Sequence, residues 1–263
     1  MNPPRAAVVW PLAVALVALA GCGGHNNTFN PTTIIEEGQP DFVITVSPTK
    51  HKALAELPGT GFQGDPLPYL VTVRSVNGFS SPVTLSLNYS GPGTFPVLEW
   101  STTVVTPTPS GATATLSIGN GYDEKVPIGI YPMEIKGVGG GLTRTVNASL
   151  VVTGYSMTIQ PRSQFIPIED PAVFTVTFTP LPASDGFTGT IEFGSFGNPP
   201  GCLASASPGS VTFAEGDGPK TASVLVHRYG QPMFDEGDLM VHTHCQNQFW
   251  VNDDVRVIFN QPE

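Results

Sequence analysis

The sequence predicts an all-β protein built from two tandem antiparallel β-sandwiches, and two observations carry this prediction. First, the composition suits strands and turns, because only 12% of the 263 residues are charged while the chain holds 29 glycines and 27 prolines. Second, short stretches of alternating apolar and polar residues follow one another, bounded by turn residues. No stretch beyond the N-terminal region keeps a helical period long enough to predict a helix.

The alternating stretches recur in the same order, which predicts two domains at residues 41–153 and 154–263. Each copy opens with a strand that ends at a proline, which cannot donate to a ladder: Asp41–Pro48 and Tyr155–Pro161. About seven strands per copy are expected, and they indicate a sandwich. Because almost no linker separates the copies, we expect them to stack end to end with limited bending. The later matching stretches are 69–76 with 172–179, 83–87 with 188–193, 112–118 with 220–226, 129–135 with 237–243, and 142–153 with 249–259.

Both copies resemble bacterial Ig-like repeats. The shared features are the strand ending in proline, a Gly-Phe turn at residues 78–79 and 186–187, and, in copy one, a late Gly-x-Tyr that ends at Tyr131. The resemblance implies Ig-like sandwiches that serve in spacing, adhesion or ligand display. It supplies no catalytic residues, so we expect a protein that is not an enzyme and needs no cofactor. Tyr131 stands where such sandwiches often place a tyrosine corner, and copy two has Leu239 there.

The N-terminal region has the pattern of an export signal. Arg5 precedes an uncharged run from Ala6 to Ala20, which is shorter than the roughly 20 residues that span a bilayer. The segment Leu19–Cys22 resembles the lipobox of bacterial lipoproteins, which implies removal of residues 1–21 and lipidation of Cys22. Two or more acyl chains would then hold the protein stably at a membrane. The alternatives are an ordinary signal peptide and a short core helix.

The predicted anchor sets the expected location and partners. Residues 22–40 are polar and aperiodic, which indicates a flexible tether between the lipid and the first domain. Gly23, by the same resemblance, favours the outer membrane, so the protein is expected in the cell envelope, facing the periplasm or the exterior. Its partners would be the membrane, through the lipid, and a protein or glycan at the envelope. The net charge of −10 and the sparse, unclustered Lys and Arg argue against nucleic acid.

The three cysteines of the chain predict one disulfide. If Cys22 carries lipid, Cys202 and Cys245 remain as an even pair in an exported protein. Cys245 falls on the inward phase of its strand, and a bridge to Cys202 would staple the second domain. The alternatives are a pair of buried free thiols and metal ligation by Cys245 with His244.

The closing hairpin of copy two carries the candidate ligand-binding residues. His242 and His244 align with Glu134 and Lys136 on the outward phase, so both face solvent, and without a third ligand no metal site is expected. An exposed Trp250 could stack on a sugar ring or anchor a protein partner. Otherwise it covers the hairpin or packs on the other domain. The candidate residues are Trp250, His242, His244, Asp254 and Arg256.

Taken with the resemblances, these residues predict a lipid-anchored envelope protein whose Ig-like domains serve in display, adhesion or structural spacing. A carbohydrate-binding accessory lipoprotein, using an exposed face of the second sandwich, is the alternative.

Overall fold

The computed structural model describes residues 38–55, 66–90, 98–119, 127–230, 235–246 and 249–259. The predicted leader, the lipidation site Cys22 and the tether up to residue 37 lie outside these ranges. All regular secondary structure in the described ranges is β-strand, so the prediction of an all-β fold is confirmed. No helix with the length and hydropathy to cross a bilayer occurs in these ranges.

Seventeen strands are present in the described residues. The first nine are β1 (Asp41–Ser47), β2 (Lys50–Leu54), β3 (Leu67–Val76), β4 (Val83–Tyr89), β5 (Leu98–Trp100), β6 (Val104–Val105), β7 (Ala112–Ile118), β8 (Gly129–Gly139) and β9 (Leu142–Gln160). The other eight are β10 (Ser163–Phe165), β11 (Ala172–Leu181), β12 (Gly189–Gly197), β13 (Cys202–Ser207), β14 (Ser210–Phe213), β15 (Lys220–Arg228), β16 (Glu236–Cys245) and β17 (Phe249–Ile258).

Two sandwiches with the same strand order account for all of these strands. In the first, a sheet β1-β3-β7-β5 faces a sheet β2-β9-β8-β4-β6. In the second, a sheet β9-β11-β15-β13 faces a sheet β10-β17-β16-β12-β14. Within each sandwich one pair is parallel, β2 with β9 and β10 with β17, and the other named pairs are antiparallel. The tandem Ig-like sandwiches predicted from the repeat are therefore present.

Each sandwich has nine strands rather than the seven expected. The opening strand divides in two, because after Ser47–Pro48 and again after Gln160–Pro161 the chain crosses to the opposite sheet and resumes as β2 or β10. The missing N–H of proline ends the first ladder at these points. A short edge strand, β6 or β14, adds the ninth member to each copy.

Strand β9 belongs to both sandwiches. Residues 142–152 pair with β8 of the first sandwich, and residues 154–160 pair with β11 of the second. One eight-stranded sheet consequently runs through both copies. The boundary predicted at residue 154 falls inside this strand, so the last strand of copy one is also the first strand of copy two.

The alternation of the sequence places the core side chains as predicted. Leu239, Val241 and Thr243 are fully buried on β16, while His242 on the other phase is half-buried. In copy one, the Tyr131 hydroxyl donates to the Pro127 carbonyl at 2.7 Å, which is the bond of a tyrosine corner. Burial raises the pKa of Tyr131 to about 12.

Copy two, with Leu239 at that place, uses a different polar contact. The hydroxyls of Tyr155 on β9 and Thr243 on β16 lie 3.1 Å apart in the core and link the two sheets. Thr243 also donates to the Val251 carbonyl at 3.1 Å. The Tyr155 ring packs edge-on against Phe249, with the ring centroids 5.0 Å apart.

The predicted disulfide between Cys202 and Cys245 is wrong, since both thiols are free and buried. The Cys202 amide donates to the Pro199 carbonyl at 3.2 Å, and Pro199 would lie 2.8 Å from a Cβ on Gly237 of β16, so Cys202 lies at the Gly237 end of the second sandwich. Cys245 ends β16 eight residues after Gly237, about 27 Å away at the usual rise of a strand. A disulfide needs Cα atoms about 4–7 Å apart. The inward phase of Cys245 was predicted correctly, but phase does not fix the position of a residue along the sandwich axis.

The structure agrees with one of the two alternatives for these cysteines and argues against the other. Both thiols are free and buried, as in the first alternative, although they lie at opposite ends of the sandwich and do not meet. Cys245 and His244 are neighbours on one strand and point to opposite faces, which is a poor arrangement for a shared metal. No group of three potential metal ligands occurs among the described residues.

Candidate functional site

The structure brings the five candidate ligand-binding residues to one surface, the outer side of β12, β16 and β17, which we call the closing face. Register defines its rows. Glu192, His244 and Trp250 form the first row, and Ser195, His242 and Asn252 form the second. Gly197, Met240 and Asp254 form the third, and Asp238 and Arg256 form the fourth.

Trp250 and His244 form the most structured part of this face. Their ring centroids lie 4.6 Å apart, with the planes inclined by 44°. Trp250 keeps 38% of its surface exposed. It therefore packs on its own sheet and remains accessible, rather than being covered. The Nδ1 atom of His244 is buried without a hydrogen-bond partner in the described part of the chain.

Gly194 makes this packing possible. It is the extra residue of a β-bulge in β12, where the pairing with β16 shifts between Phe193 and Ser195. A Cβ at residue 194 would lie 3.0 Å from His244 Cδ2 and 3.3 Å from Trp250 Cζ3. The two rings thus lie directly over the backbone of Gly194, and we call these three residues the indole platform. The sequence prediction missed Gly194, although a glycine inside a strand pattern is a signal for a bulge or a close approach.

Charge on the closing face is mostly negative. Glu192 lies in the first row and Asp254 in the third, and both are exposed. The nearest basic side chain along these rows is Arg256, whose Nη1 is 3.4 Å from Glu236 Oε2. Arg162 beside the face is 2.7 Å from Asp253, which turns toward the end of β9 and also accepts a bond from the Ile159 amide. An anion approaching the indole platform would meet carboxylates before it met a cation.

A second polar feature lies at the junction between the sandwiches. Lys50 Nζ and Lys52 Nζ, on β2 of the first sandwich, lie 2.8 and 2.6 Å from the Asp185 carboxylate of the second. Lys52 also lies 3.5 Å from Glu215. We call these three ion pairs the cross-ties. They are partly exposed, so each contributes at most about 1 kcal/mol, which is enough to favour one orientation but small beside the packing of the strands.

The charges of the cross-ties support one another. Partial burial acts to raise the pKa of Asp185, but hydrogen bonds from Lys50 and Lys52, with their charges, outweigh burial and lower it. Burial acts to lower the pKa of Lys52, and Asp185 with Glu215 outweighs burial and raises it. A carboxyl group whose pKa is lowered by folding stabilises the fold at pH values above its pKa in the unfolded chain, about 3.9. A lysine whose pKa is raised by folding stabilises the fold at pH values below its pKa in the unfolded chain, about 10.4. The cross-ties therefore persist from about pH 4 to about pH 10 and weaken outside that window.

Gly154 is the point where the apolar parts of both sandwiches meet. A Cβ there would lie 2.5 Å from Ile128 Cδ1 of the first sandwich and 3.1 Å from Phe249 Cζ of the second. The side chains of both copies thus close on the backbone of β9 at the junction. Glycine leaves room for this contact, because a side chain at residue 154 would press on the end of Ile128 and on the Phe249 ring.

The first sandwich has a shallow depression of about 280 Å³ on its outer face. Asn88, Glu134 and Asn147 face one another there across β4, β8 and β9. Glu134 is the only carboxylate among the lining residues, so the depression offers no pair of acids for general acid-base catalysis. The equivalent row of the second sandwich is Ser195, His242 and Asn252.

Comparison with known proteins gives no family. No family model matches the chain, and no curated protein matches it. Among solved structures, the D0-D1 domain of intimin is 14% identical, with 84% of this chain and 98% of that chain covered at a TM-score of 0.31. Domains 4 and 5 of the S-layer protein SbsC are 16% identical, with 84% of this chain and 98% of that chain covered at a TM-score of 0.31. Protocadherin gamma B2 cadherin domains 3–6 are 14% identical, with 87% of this chain and 51% of that chain covered at a TM-score of 0.35. At such identities and TM-scores these likenesses carry no inference about function, and the fold assignment rests on the strand topology.

Proposed function

We propose that this chain is a stiff, lipid-anchored display protein of the bacterial cell envelope, without a catalytic role. The observation that carries the proposal is strand β9, which passes from one sandwich into the other without a linker. Domains joined by a flexible segment reorient freely, whereas a bend at residue 154 would have to open a ladder in one of the two sheets.

Packing and charge at the junction also favour a stiff connection between the two sandwiches. Ile128 and Phe249 close on Gly154, and the cross-ties join β2 to the loops of the second sandwich. At the rise of a strand, the 19 residues of β9 span about 60 Å. Such a rod, on a tether of about 25 Å, would hold its far end well away from the membrane.

Anchoring through Cys22 is the part of the proposal that the sequence supports. Replacing Cys22 by serine should move the protein from the membrane fraction to the soluble fraction and abolish metabolic labelling with palmitate. Replacement of Cys202 by serine is the matched control, since that thiol is buried in the second sandwich and should leave both readouts unchanged. A Cys22→Ser protein that stays in the membrane fraction would rule out this anchor.

Hydrogen exchange at the junction tests the stiffness. Peptides covering residues 150–158 should exchange about as slowly as peptides covering 142–149, because one continuous strand carries both. The control is a variant with five Gly and Ser residues inserted after Thr153, in which the junction should exchange rapidly. If the junction of the unaltered chain exchanges as fast as that of the inserted variant, the proposed stiffness is wrong.

A second candidate function is carbohydrate binding by the second sandwich. It is favoured by a separate observation, the accessible Trp250 ring on the closing face. The two functions are compatible, because a stiff stalk could present a binding face.

A further inference from the structure

A bulge in the backbone of β12 shapes the indole platform. The bulge at Gly194 removes a side chain at the one position where both the His244 and Trp250 rings come close. Bulges occur preferentially at sheet edges and beside binding sites, where they re-aim side chains. Here the bulge fixes an exposed indole against an imidazole, so the ring is held in one place before any ligand arrives.

The surroundings of the platform are polar and rich in both donors and acceptors. The next row holds the hydroxyl of Ser195, the imidazole of His242 and the amide of Asn252. Glu192 lies beside His244 and adds a carboxylate acceptor. The apolar Met240 side chain lies two rows from Trp250. Within the first two rows, the exposed indole is therefore an apolar spot bordered by hydrogen-bonding side chains.

This pattern distinguishes between classes of ligand. A protein partner is usually anchored through several adjoining apolar side chains, and the immediate neighbours of Trp250 in the rows are polar. An anionic glycan would meet Glu192 and Asp254, with no lysine or arginine in the first three rows. An uncharged sugar ring offers an apolar face for the indole and a rim of hydroxyls for the row beside it.

We propose that the closing face binds an uncharged saccharide, with one sugar ring on Trp250 and its hydroxyls bonded to His242, Asn252 and Glu192. This inference rests on the second candidate function, names its ligand class and its residues, and is independent of the stiffness of the rod.

The test uses the full chain in detergent micelles, with Trp10 and Trp100 replaced by phenylalanine so that Trp250 is the only indole. The probes are neutral hexasaccharides of β-1,4-glucose, β-1,3-glucose, α-1,4-glucose and β-1,4-N-acetylglucosamine, and the anionic control is hexagalacturonate. At least one neutral probe should change the Trp250 fluorescence saturably. Hexagalacturonate should bind at least tenfold more weakly than that probe.

Variants of the unaltered chain separate the platform from a general effect. In calorimetry with the responsive probe, Trp250→Ala should lose at least tenfold in affinity. Gly194→Ala keeps the indole but should also lose affinity, because the Cβ added at residue 194 displaces both rings. Tyr89→Ala removes an aromatic side chain of similar exposure, 41%, from the first sandwich and should bind as the unaltered chain does.

Three results would overturn the inference: no response to any neutral probe, unchanged affinity in Trp250→Ala, or a preference for hexagalacturonate. Capture of an envelope protein that depends on Trp250, with no saccharide response, would assign the face to a protein partner and would likewise overturn it. None of these results alters hydrogen exchange at residues 150–158, so failure here is distinguishable from failure of the stiff rod.

Discussion

Replacing Gly154 by alanine tests how tightly the two sandwiches pack on the shared strand. The new Cβ would lie 2.5 Å from Ile128 Cδ1 and 3.1 Å from Phe249 Cζ, whereas carbon atoms in good contact are about 3.5–4.0 Å apart. The end of Ile128 must therefore move by about 1 Å, and the Phe249 ring by several tenths of an ångström. Overpacking typically costs about 1–3 kcal/mol. Two contacts must be relieved at once, so a cost near the middle of this range, about 2 kcal/mol, is expected, and the reduced entropy of the unfolded alanine chain offsets about 0.4–1 kcal/mol of it.

The expected net loss for Gly154→Ala is about 1 kcal/mol in the free energy of unfolding, or about 2–4 °C in Tm for a unit of this size. Gly154→Val adds two more carbons and should approach a loss of about 3 kcal/mol. Thermal unfolding followed by circular dichroism measures both. Gly218→Ala is the matched control, because nothing lies within 4 Å of a Cβ there, and it should change stability by no more than about 0.5 kcal/mol. Equal Tm values for the residue 154 and residue 218 variants would refute the reasoning.

Three further predictions follow from single contacts. Asp185→Asn removes the carboxylate shared by two cross-ties, so the distribution of distances between spin labels on the two sandwiches should broaden slightly at neutral pH; the unaltered chain should show the same broadening as the pH falls through the lowered pKa of Asp185, which lies below the ordinary aspartate value of about 3.9. Burial raises the pKa of the Cys202 and Cys245 thiols, so mass spectrometry should find both unmodified by iodoacetamide in the native protein and both modified after unfolding; a Cys202–Cys245 peptide would contradict this. Tyr131→Phe deletes the bond to Pro127 and should destabilise the protein by about 1 kcal/mol in denaturant unfolding, whereas no loss would mean that the corner is held by packing alone.

Features that depend on strand period were predictable from the sequence. Thr243 and Cys245 are buried, and His242 and His244 face outward, because alternation along one strand is a local property of the chain. The tyrosine corner at Tyr131 could also be predicted, because its hydroxyl bonds to a residue only four positions upstream. The two-copy organisation followed from the repeat, which preserves the order of strands.

Features that depend on long-range register were not predictable. Cys245 fits a disulfide by phase, but it ends β16, whereas Cys202 begins β13 beside Gly237 near the start of β16, at the opposite end of the sandwich. Lys50 and Asp185 are 135 residues apart in sequence, and nothing local indicates that they meet. The bulge at Gly194 depends on how β12 pairs with β16, although its glycine was a signal that could have been read.

A distance measurement across the junction tests the stiff rod most directly. Spin labels would be placed at the exposed residues Thr113 on β7 and Ser205 on β13, one in each sandwich, in a chain with Cys22 replaced by serine and with Cys202 and Cys245 replaced by alanine. Double electron-electron resonance should give one narrow distance distribution, as wide as that of a label pair placed within a single sandwich. A variant with the five-residue insertion after Thr153 should give a broad one. A distribution in the unaltered chain as broad as that of the inserted variant would contradict the account, because the two sandwiches would then move independently despite the shared strand.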